Sequence, residues 1–199
     1  MANRFKKIVL TPAVRAAQQH YYGRAAQLPN AAERDPLTDE ERLFIETRDS
    51  FYMATITETG WPYLQHRGGP PGFLRVLSPS TLAFADYGGN RQMLSTGNLA
   101  VKDRVALFLM DYPKQERLKI LGHAKVLDAR ENAEMAAKIH VPGGDDAEPE
   151  RLFVIEVLSF DWNCPNFITP RYTAQEIEKV VAPLKQRIAE LEAELAGRR

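Results

Sequence analysis

Two short segments carry residues whose types and spacing suit the binding of an anion. In the first, FADYGGNRQM at residues 84–93, two glycines are followed by Asn90 and Arg91. Glycine tolerates a positive φ, a conformation in which successive backbone N–H groups converge on an anion. The pattern predicts a helix from about residue 91, whose N-terminus adds partial positive charge. Most runs of this kind are simple turns, so an anion site needs a second cation.

The second segment, YLQHRGGPPGFLRV at residues 63–76, ends a predicted strand with Gln65, His66 and Arg67. Alternation along a strand places His66 on the opposite face from Gln65 and Arg67. One interpretation is an exposed edge strand. The other is that Arg67 meets Arg91 at one rim of a barrel, where two guanidinium groups hold a phosphate better than one does.

The other reactive side chains give no clear catalytic signal. Cys164 is the only cysteine in the sequence, so no intrachain disulfide forms. A lone cysteine without a neighbouring histidine is more often packed than nucleophilic. No HExxH motif, paired carboxylates or zinc-ligand spacing occurs. We therefore predict no metal site and name no catalytic residue.

The segments that must position these residues are mainly strands. Between residues 51 and 160, short runs of β-branched, aromatic and apolar residues alternate with turn residues. Their closeness in sequence favours antiparallel pairing and a small closed or split barrel. The predicted strands are 51–57, 61–66, 73–77, 81–87, 104–111, 117–127 and 151–160, with turns at 57–60 and 78–80.

The flanking regions are predicted to be helical. We expect an N-terminal helical segment over 1–50, the barrel over 51–170 and a C-terminal helix over 171–199, all in one domain. Within the barrel region, helices are predicted at 91–100 and 130–139. In the tail, apolar residues from Ile177 to Leu195 recur at steps of 4, 3, 4, 3 and 4, as in a coiled coil, with Pro183 expected to kink the helix. The stripe either lies on its own barrel or pairs with a second copy.

Composition excludes several functional classes. The chain has 199 residues, and its 26 Lys and Arg balance its 26 Asp and Glu, so a nucleic acid or an anionic membrane is not an expected partner. The longest apolar run near the start is too short for a signal peptide, and none is long enough to span a membrane. We expect a cytoplasmic protein.

Four motifs together resemble a known family. In order and spacing, WPYLQHRGG, LAFADYGGNRQ, NLAVKDRVALFLMDY and RLKILGHAKV are similar to the pyridoxamine 5′-phosphate oxidase-like, FMN-binding split-barrel family over residues 51–160. The closing FDWNCPNFITPRYT resembles an uncharacterised bacterial branch rather than the oxidase itself. The resemblance implies a mainly β, six- or seven-stranded antiparallel split barrel with flanking helices and a C-terminal dimerisation helix.

The resemblance also implies a set of FMN-binding residues in a homodimer. Residues near the phosphate would be Arg67, Asn90, Arg91 and Gln92, and Gly89-Asn90-Arg91 has one cation fewer than the Ser-Arg-Lys that is common in the family. The ring and ribityl chain would contact Gln65, His66, Ala85, Asp86, Tyr87 and Arg117. Three further residues would approach from the C-terminal side, from the same or the partner chain: Trp162, Asn163 and Cys164.

The function implied is an FMN-dependent oxidoreductase acting on a small molecule, with NADH or NADPH as a donor by analogy. The residues that the oxidase uses to hold pyridoxamine phosphate are not visible, so oxidation of that substrate is not supported. Two other hypotheses stay open: a non-catalytic protein that binds or senses a flavin or haem, and a dimeric scaffold without a ligand. The sequence does not separate FMN from FAD or a deazaflavin.

Overall fold

The computed structural model describes residues 2–141, 148–162 and 165–197. The chain divides into two compact units. The first contains Met1–Met110 and Arg117–Cys164, and the second contains Asp111–Glu116 and Pro165–Arg199. In the second unit Gln115 donates a hydrogen bond to the carbonyl of Ile168, and Arg171 lies over the ring of Tyr112.

Seven strands form a single sheet with the order β2-β1-β5-β6-β7-β4-β3. All pairs whose register is described are antiparallel, as predicted. The predicted hairpin turn at 57–60 is present, because Thr57 N–H bonds to the carbonyl of Trp61. The strands are β1 (Ser50–Ile56), β2 (Pro62–Gly68), β3 (Arg75–Ser78), β4 (Thr81–Asp86), β5 (Arg104–Asp111), β6 (Glu116–Asp128) and β7 (Arg151–Trp162).

The sheet curls so that strands distant in this order come together. Arg67 on β2, at one edge, forms an ion pair with Asp86 on β4, which is next to the last strand at the other edge. The pairing order nevertheless runs linearly from β2 to β3, so the described strands do not close into a hydrogen-bonded ring. This open, curled sheet is the predicted split barrel.

A β-bulge in β6 bends the long β6–β7 pair. The register shifts between Leu121 and Gly122. A Cβ atom at position 122 would collide with the carbonyl oxygen of Glu156 on β7, so only glycine allows the two backbones this close approach.

Apolar side chains from both halves of the sheet fill the interior. The aromatic part of this core contains Phe51, Phe73, Phe84 and Phe153, and Phe84 stacks on Phe153 with ring centroids 4.8 Å apart. These rings come from β1, from the segment before β3, from β4 and from β7, so they pack the two sides of the curled sheet against each other.

Six α-helices occur in the described residues, and all the predicted ones are present. The three helices α1, α2 and α3 fall within the predicted helical segment over 1–50. The helices are α1 (Asn3–Val9), α2 (Pro12–Tyr22), α3 (Asp39–Glu46), α4 (Leu94–Val101), α5 (Ala133–Ile139) and α6 (Ala174–Ala196). None of the described helices combines the length and the apolar character needed to cross a membrane.

A buried carboxylate fixes α3 to the end of β7. Glu41 is only 3% exposed, and it accepts hydrogen bonds from Thr38 N–H at 2.9 Å and from the indole Nε1 of Trp162 at 2.6 Å. Burial raises the pKa of Glu41, but the hydrogen bonds outweigh burial, and the pKa lies below its ordinary value of 4.5. The ionised form of Glu41 therefore stabilises the fold.

Glu41→Gln is expected to lower the free energy of unfolding by about 1.5 kcal/mol at pH 7, because charged hydrogen bonds are replaced by neutral ones. The folded-state pKa is the lower one, so the stabilisation is present above pH 4.5 and disappears as the pH falls through that lower value. Urea unfolding at several pH values measures the difference. The exposed neighbour Glu40→Gln is the control, and an equal loss in both variants at pH 7 would contradict the assignment.

Candidate functional site

A polar cavity of about 180 Å³ lies in the first unit, where the two sides of the curled sheet meet. Its walls come from alternate residues of β2, the end of β4, the segment that leads into α4, and the first residue of β7. The lining residues are Tyr63, Gln65, Arg67, Asp86, Tyr87, Gly89, Asn90, Arg91, Gln92, Met93, Leu94, Thr96 and Arg151.

The carboxylate of Asp86 lies between two arginines on one wall of this cavity. Its Oδ1 lies 2.5 Å from a terminal guanidinium nitrogen of Arg67, and its Oδ2 lies 2.8 Å from Nε of Arg151. The three side chains are 13% to 16% exposed. Since Arg67 and Asp86 lie on strands that are not hydrogen-bonded neighbours, this ion pair links the two sides of the sheet.

Aromatic rings hold the guanidinium of Arg67 in place. Its Cζ atom lies 4.9 Å from the ring centroid of Phe153 and 5.6 Å from that of Phe84. Cation–π attraction and the ion pair with Asp86 both favour this single orientation. The Nε of Arg67 is buried and has no hydrogen-bond partner within the described residues. The strand-end arginine is thus a fixed part of the wall.

Arg151 was missed by the sequence analysis, although it begins a predicted strand. Burial lowers the pKa of Arg151, but its hydrogen bonds to Asp86 and Glu150 outweigh burial and raise the pKa above its usual value. Arg151 therefore stays charged. No sequence signal connects it to Asp86, because 65 residues separate them.

The segment between β4 and α4 differs from its predicted conformation. We expected Gly88 and Gly89 to supply positive φ angles, but the left-handed residues are Arg91, with φ of 58°, and Met93, with φ of 55°. The helix begins at Leu94 rather than near residue 91, because Met93 at its N-cap adopts the left-handed conformation. The glycine prediction was therefore wrong, although the segment does line the cavity.

Arg91 is the available cation of the cavity. Its side chain is exposed, and it makes no hydrogen bond or ion pair with any part of the chain that the structure describes. Next to it, Asn90 accepts a hydrogen bond from Gln92 N–H at 3.2 Å, which shapes the turn. A Cβ built on Gly89 meets no atom within 4 Å, so the backbone beside Arg91 is open.

Gln65 connects β2 to the start of α4. Its Oε1 accepts a hydrogen bond from the hydroxyl of Ser95 at 2.8 Å. Deeper in the same contact, Asn98 donates to the hydroxyl of Thr55 at 2.9 Å, and both of these side chains are buried. These bonds hold the helix, and with it the Arg91 segment, against β1 and against β2, the strand that carries Arg67.

Two predicted residues on these strands lie outside the cavity. His66 is on the opposite face of β2, as strand alternation predicts, and its ring packs edge-on against Tyr52. Ala85 is on the other face of β4 and lines a separate apolar cavity with Phe73 and Ile139. Tyr87 lines both cavities.

Of the remaining predicted residues, Arg117 and Trp162 do not line this cavity in the described chain. Arg117 lies on β6, with a buried Nε that has no hydrogen-bond partner among the described residues. Trp162 is held by Glu41 and packs edge-on against Phe44. Asn163 and Cys164 lie outside the described residues. The roles of these four residues therefore stay predictions.

The lining suits an anion such as a phosphate monoester. Three arginines and one carboxylate leave an excess of positive charge, and Arg91 and the open backbone at Gly89 are not used by other contacts within the described chain. A phosphate would gain charge-assisted hydrogen bonds there. Among the described residues, no cluster of three or more His, Cys, Asp or Glu side chains could hold a metal ion.

Comparison with known proteins gives one family. A sequence model described as pyridoxamine 5′-phosphate oxidase matches residues 37–161. No curated protein matches the chain.

Solved structures with a similar chain path include three bacterial proteins. HupZ from Group A Streptococcus has 13% identity and a TM-score of 0.48, covering 69% of this chain and 99% of its own. A Clostridium acetobutylicum protein related to general stress protein 26 has 17% identity and a TM-score of 0.45, covering 62% of this chain and 85% of its own. An FMN-binding protein from Syntrophomonas wolfei has 9% identity and a TM-score of 0.44, covering 62% of this chain and 83% of its own. Since these scores are below 0.5, family membership rests on the match to residues 37–161.

Proposed function

The chain belongs to the pyridoxamine 5′-phosphate oxidase family, and from this premise we propose that it binds FMN and acts as a flavin-dependent oxidoreductase on a small molecule. One observation carries the proposal. Arg91, which has no partner in the described chain, faces the same cavity as the fixed Arg67 and the unhindered backbone of Gly89. This is the arrangement that a terminal phosphate needs.

Each group at this cavity has a distinct part in the proposed binding. Arg91 and the open backbone at Gly89 hold the phosphate, with Asn90 and Gln92 beside them. Arg67 and Arg151 supply a fixed positive field, and Asp86 keeps both in place. Gln65 and Tyr87 lie further along the wall, where the ribityl chain and the ring would extend. A site for a terminal phosphate favours FMN over FAD, because the phosphates of FAD are linked to an adenosine that would need a site of its own.

The bound flavin supplies hydride or electron transfer. The protein supplies binding, orientation and exclusion of water. The described lining of the cavity contains no histidine, lysine or cysteine, and its one carboxylate is held by two arginines. Proton transfer to a substrate would therefore fall to Tyr63, Tyr87, solvent or a group from a partner subunit.

We propose that the flavin lies at the interface of a homodimer. In that arrangement Trp162, Asn163 and Cys164 of a second chain approach the ring, which accounts for the absence of Trp162 from the cavity lining of its own chain. Arg117 on β6 would contact the ring or the ribityl chain in the same way. Its buried Nε, unpartnered within the described chain, fits a side chain whose hydrogen bonds are incomplete in one chain alone.

The test uses the purified full chain. After removal of any bound chromophore, the protein is titrated with FMN and with riboflavin, and flavin fluorescence is followed. We expect FMN to bind more tightly than riboflavin, because only FMN carries the phosphate. Equal affinities would contradict the phosphate site, and no binding of either would contradict the flavin proposal.

A second candidate is a non-catalytic protein that binds or senses a flavin or haem. The lack of a histidine, lysine, cysteine or unpaired carboxylate on the described lining favours it. Anaerobic incubation of the FMN-loaded protein with NADH or NADPH separates the two functions. Bleaching of the flavin band supports the nicotinamide-linked enzyme, and full occupancy without bleaching supports the binding protein. If the purified protein showed the absorption spectrum of haem, the ligand would be haem rather than FMN.

A further inference from the structure

An apolar stripe runs along the whole of α6 without a partner in the described chain. The helix has 23 residues and buries none of them. Exposure of the stripe ranges from 41% at Leu191 to 64% at Leu195, and Val181 alone is half-buried. A stripe of this length is costly to leave in water. Its members are Ile177, Val181, Leu184, Ile188, Leu191 and Leu195.

This helix also contains a residue that opposes its formation. Pro183 lies inside α6 and removes one backbone hydrogen bond. A capping box stabilises the start, where Thr173 bonds to Glu176 N–H and the Glu176 carboxylate bonds to Thr173 N–H. Capping contributes less than a proline costs in a helix interior. Packing of the stripe against another surface is therefore needed to hold the helix together.

We propose that α6 pairs with α6 of a second copy of this chain as a parallel, in-register, two-stranded coiled coil. The spacing places Val181, Ile188 and Leu195 at heptad position a, and Ile177, Leu184 and Leu191 at position d. In the two central heptads, β-branched Val181 and Ile188 at a are combined with Leu184 and Leu191 at d, a pattern that favours two parallel strands over three or four. The end positions, Ile177 at d and Leu195 at a, depart from this pattern. Pro183 falls at position c, away from the seam.

The charges beside the seam favour the same orientation. In a parallel pair, position g of one helix faces position e of the next heptad of its partner. Arg187 at g therefore meets Glu192 at e of the second copy, and the symmetry repeats this pair. In a fully overlapping antiparallel pair, Lys185 would face Lys185 of the second copy and Arg187 would face Arg187 of the second copy. Glu178 would face Glu192 of the second copy, so all of these pairs would bring like charges together. The charge pattern thus opposes the antiparallel alternative.

The present contacts of these charges are weak and exchangeable. Arg187 bonds to Glu190 on its own helix at 3.0 Å, with both side chains about half exposed. Lys185 lies 3.3 Å from Glu178, and both are again well exposed. Since exposed pairs of this kind contribute little, pairing with a second copy can redirect Arg187 at small cost. Within the described residues, Glu192 makes no side-chain hydrogen bond or ion pair that would compete.

Cysteine cross-linking of the full-length protein tests orientation and register. In a Cys164→Ser background, Leu191→Cys places a thiol at position d, where the two copies are opposed in a parallel, in-register coil. Ala189→Cys, at position b on the outer face, is the matched control. Under mild oxidation we expect the first variant to form a covalent dimer at least tenfold faster than the second. Equal rates, or no cross-link at position 191, would overturn the proposal.

An equimolar mixture of the Val181→Cys and Leu191→Cys variants tests the opposite orientation. In a parallel coil these positions lie in different layers, so each variant cross-links with itself. A mixed dimer that forms faster than either self-dimer would overturn the proposal in favour of an antiparallel pair. Stripes that pack on their own barrel would give no cross-link in either experiment, and would also overturn it.

The charge pair is tested by reversal. Arg187→Glu sets like charges together twice in the parallel pair, and we expect the rate of cross-linking through position 191 to fall about tenfold. Adding Glu192→Arg to the same chain restores opposite charges and the rate. A double variant that is as slow as Arg187→Glu would contradict the Arg187–Glu192 pair. Arg187, Glu192 and the apolar stripe lie outside the proposed FMN site, and cross-linking is measured without flavin, so its outcome does not depend on the proposed function.

Discussion

Asp86→Asn is expected to lower the free energy of unfolding by about 2–4 kcal/mol, since removing one member of a largely buried charge group leaves its partners uncompensated. The change keeps the size of the side chain but removes the charge that holds Arg67 and Arg151 together. Both guanidinium groups are mostly buried, so water replaces the carboxylate poorly. The midpoint of thermal unfolding should fall by roughly 5–10 °C.

Asp103→Asn is the matched control for this experiment. Asp103 also contacts a basic side chain, with its Oδ2 2.9 Å from Nδ1 of His123, but the Asp103 side chain is 62% exposed. We expect its unfolding free energy to stay within about 0.5 kcal/mol of the original. If Asp86→Asn were no more destabilised than this control, the ion pairs across the sheet would not contribute to holding the barrel together.

Arg91→Ala is expected to weaken FMN binding by about 1–3 kcal/mol, or roughly 5- to 150-fold in the dissociation constant. The lost interaction is a charge-assisted hydrogen bond to the phosphate, and no contact within the described fold is removed with it. The affinity for riboflavin, which has no phosphate, should therefore stay the same. Titration of both flavins into the variant separates loss of the phosphate contact from general damage to the site.

Arg24→Ala is the control for charge alone. Arg24 is an exposed arginine outside the cavity, so its removal changes the net charge equally but should leave both affinities unchanged. Arg91→Lys keeps the charge and loses the planar fork, so we expect an intermediate affinity for FMN. If Arg91→Ala bound FMN as tightly as the original protein, Arg91 would have no part in the site.

Local sequence patterns predicted most of the fold. Turn residues at Thr57–Gly60 and alternation through Gln65 and Arg67 were enough to place β2 and its inward face, because both effects involve near neighbours in the chain. The strand order was not predictable in the same way. The pairing of β4 with β7 joins segments about 70 residues apart, and their apolar side chains fit several possible neighbours.

The cavity was predicted in part for the same reason. Strand alternation and glycine-rich turns indicated Arg67 and Arg91 separately, and the resemblance to the family placed them together. Asp86 lines the cavity, as expected, and also holds two arginines, which was not expected; its contact with a ligand stays a prediction. Arg151 gave no local signal, because its importance comes from a contact across 65 residues.

The start of α4 shows where a local pattern was misleading. Glycines before Asn90 suggested a flexible turn that leads directly into a helix. Instead, Arg91 and Met93 take the left-handed conformation, which is uncommon for residues with a side chain. The bonds from Ser95 to Gln65 and from Asn98 to Thr55 hold the helix in place, and such tertiary contacts override local preference.

The meeting of β2 and β4 through side chains has a mechanical consequence. Neighbouring strands in the sheet are joined by ladders of backbone hydrogen bonds, whereas β2 and β4 meet through side chains, by the Arg67–Asp86 ion pair and the packing of Arg67 on Phe84. The local opening of the folded protein that costs the least free energy should therefore be a separation of β2 from β4, with the backbone ladders of the sheet intact. A ligand that contacts both β2 and β4 would hold the two strands together and slow this opening.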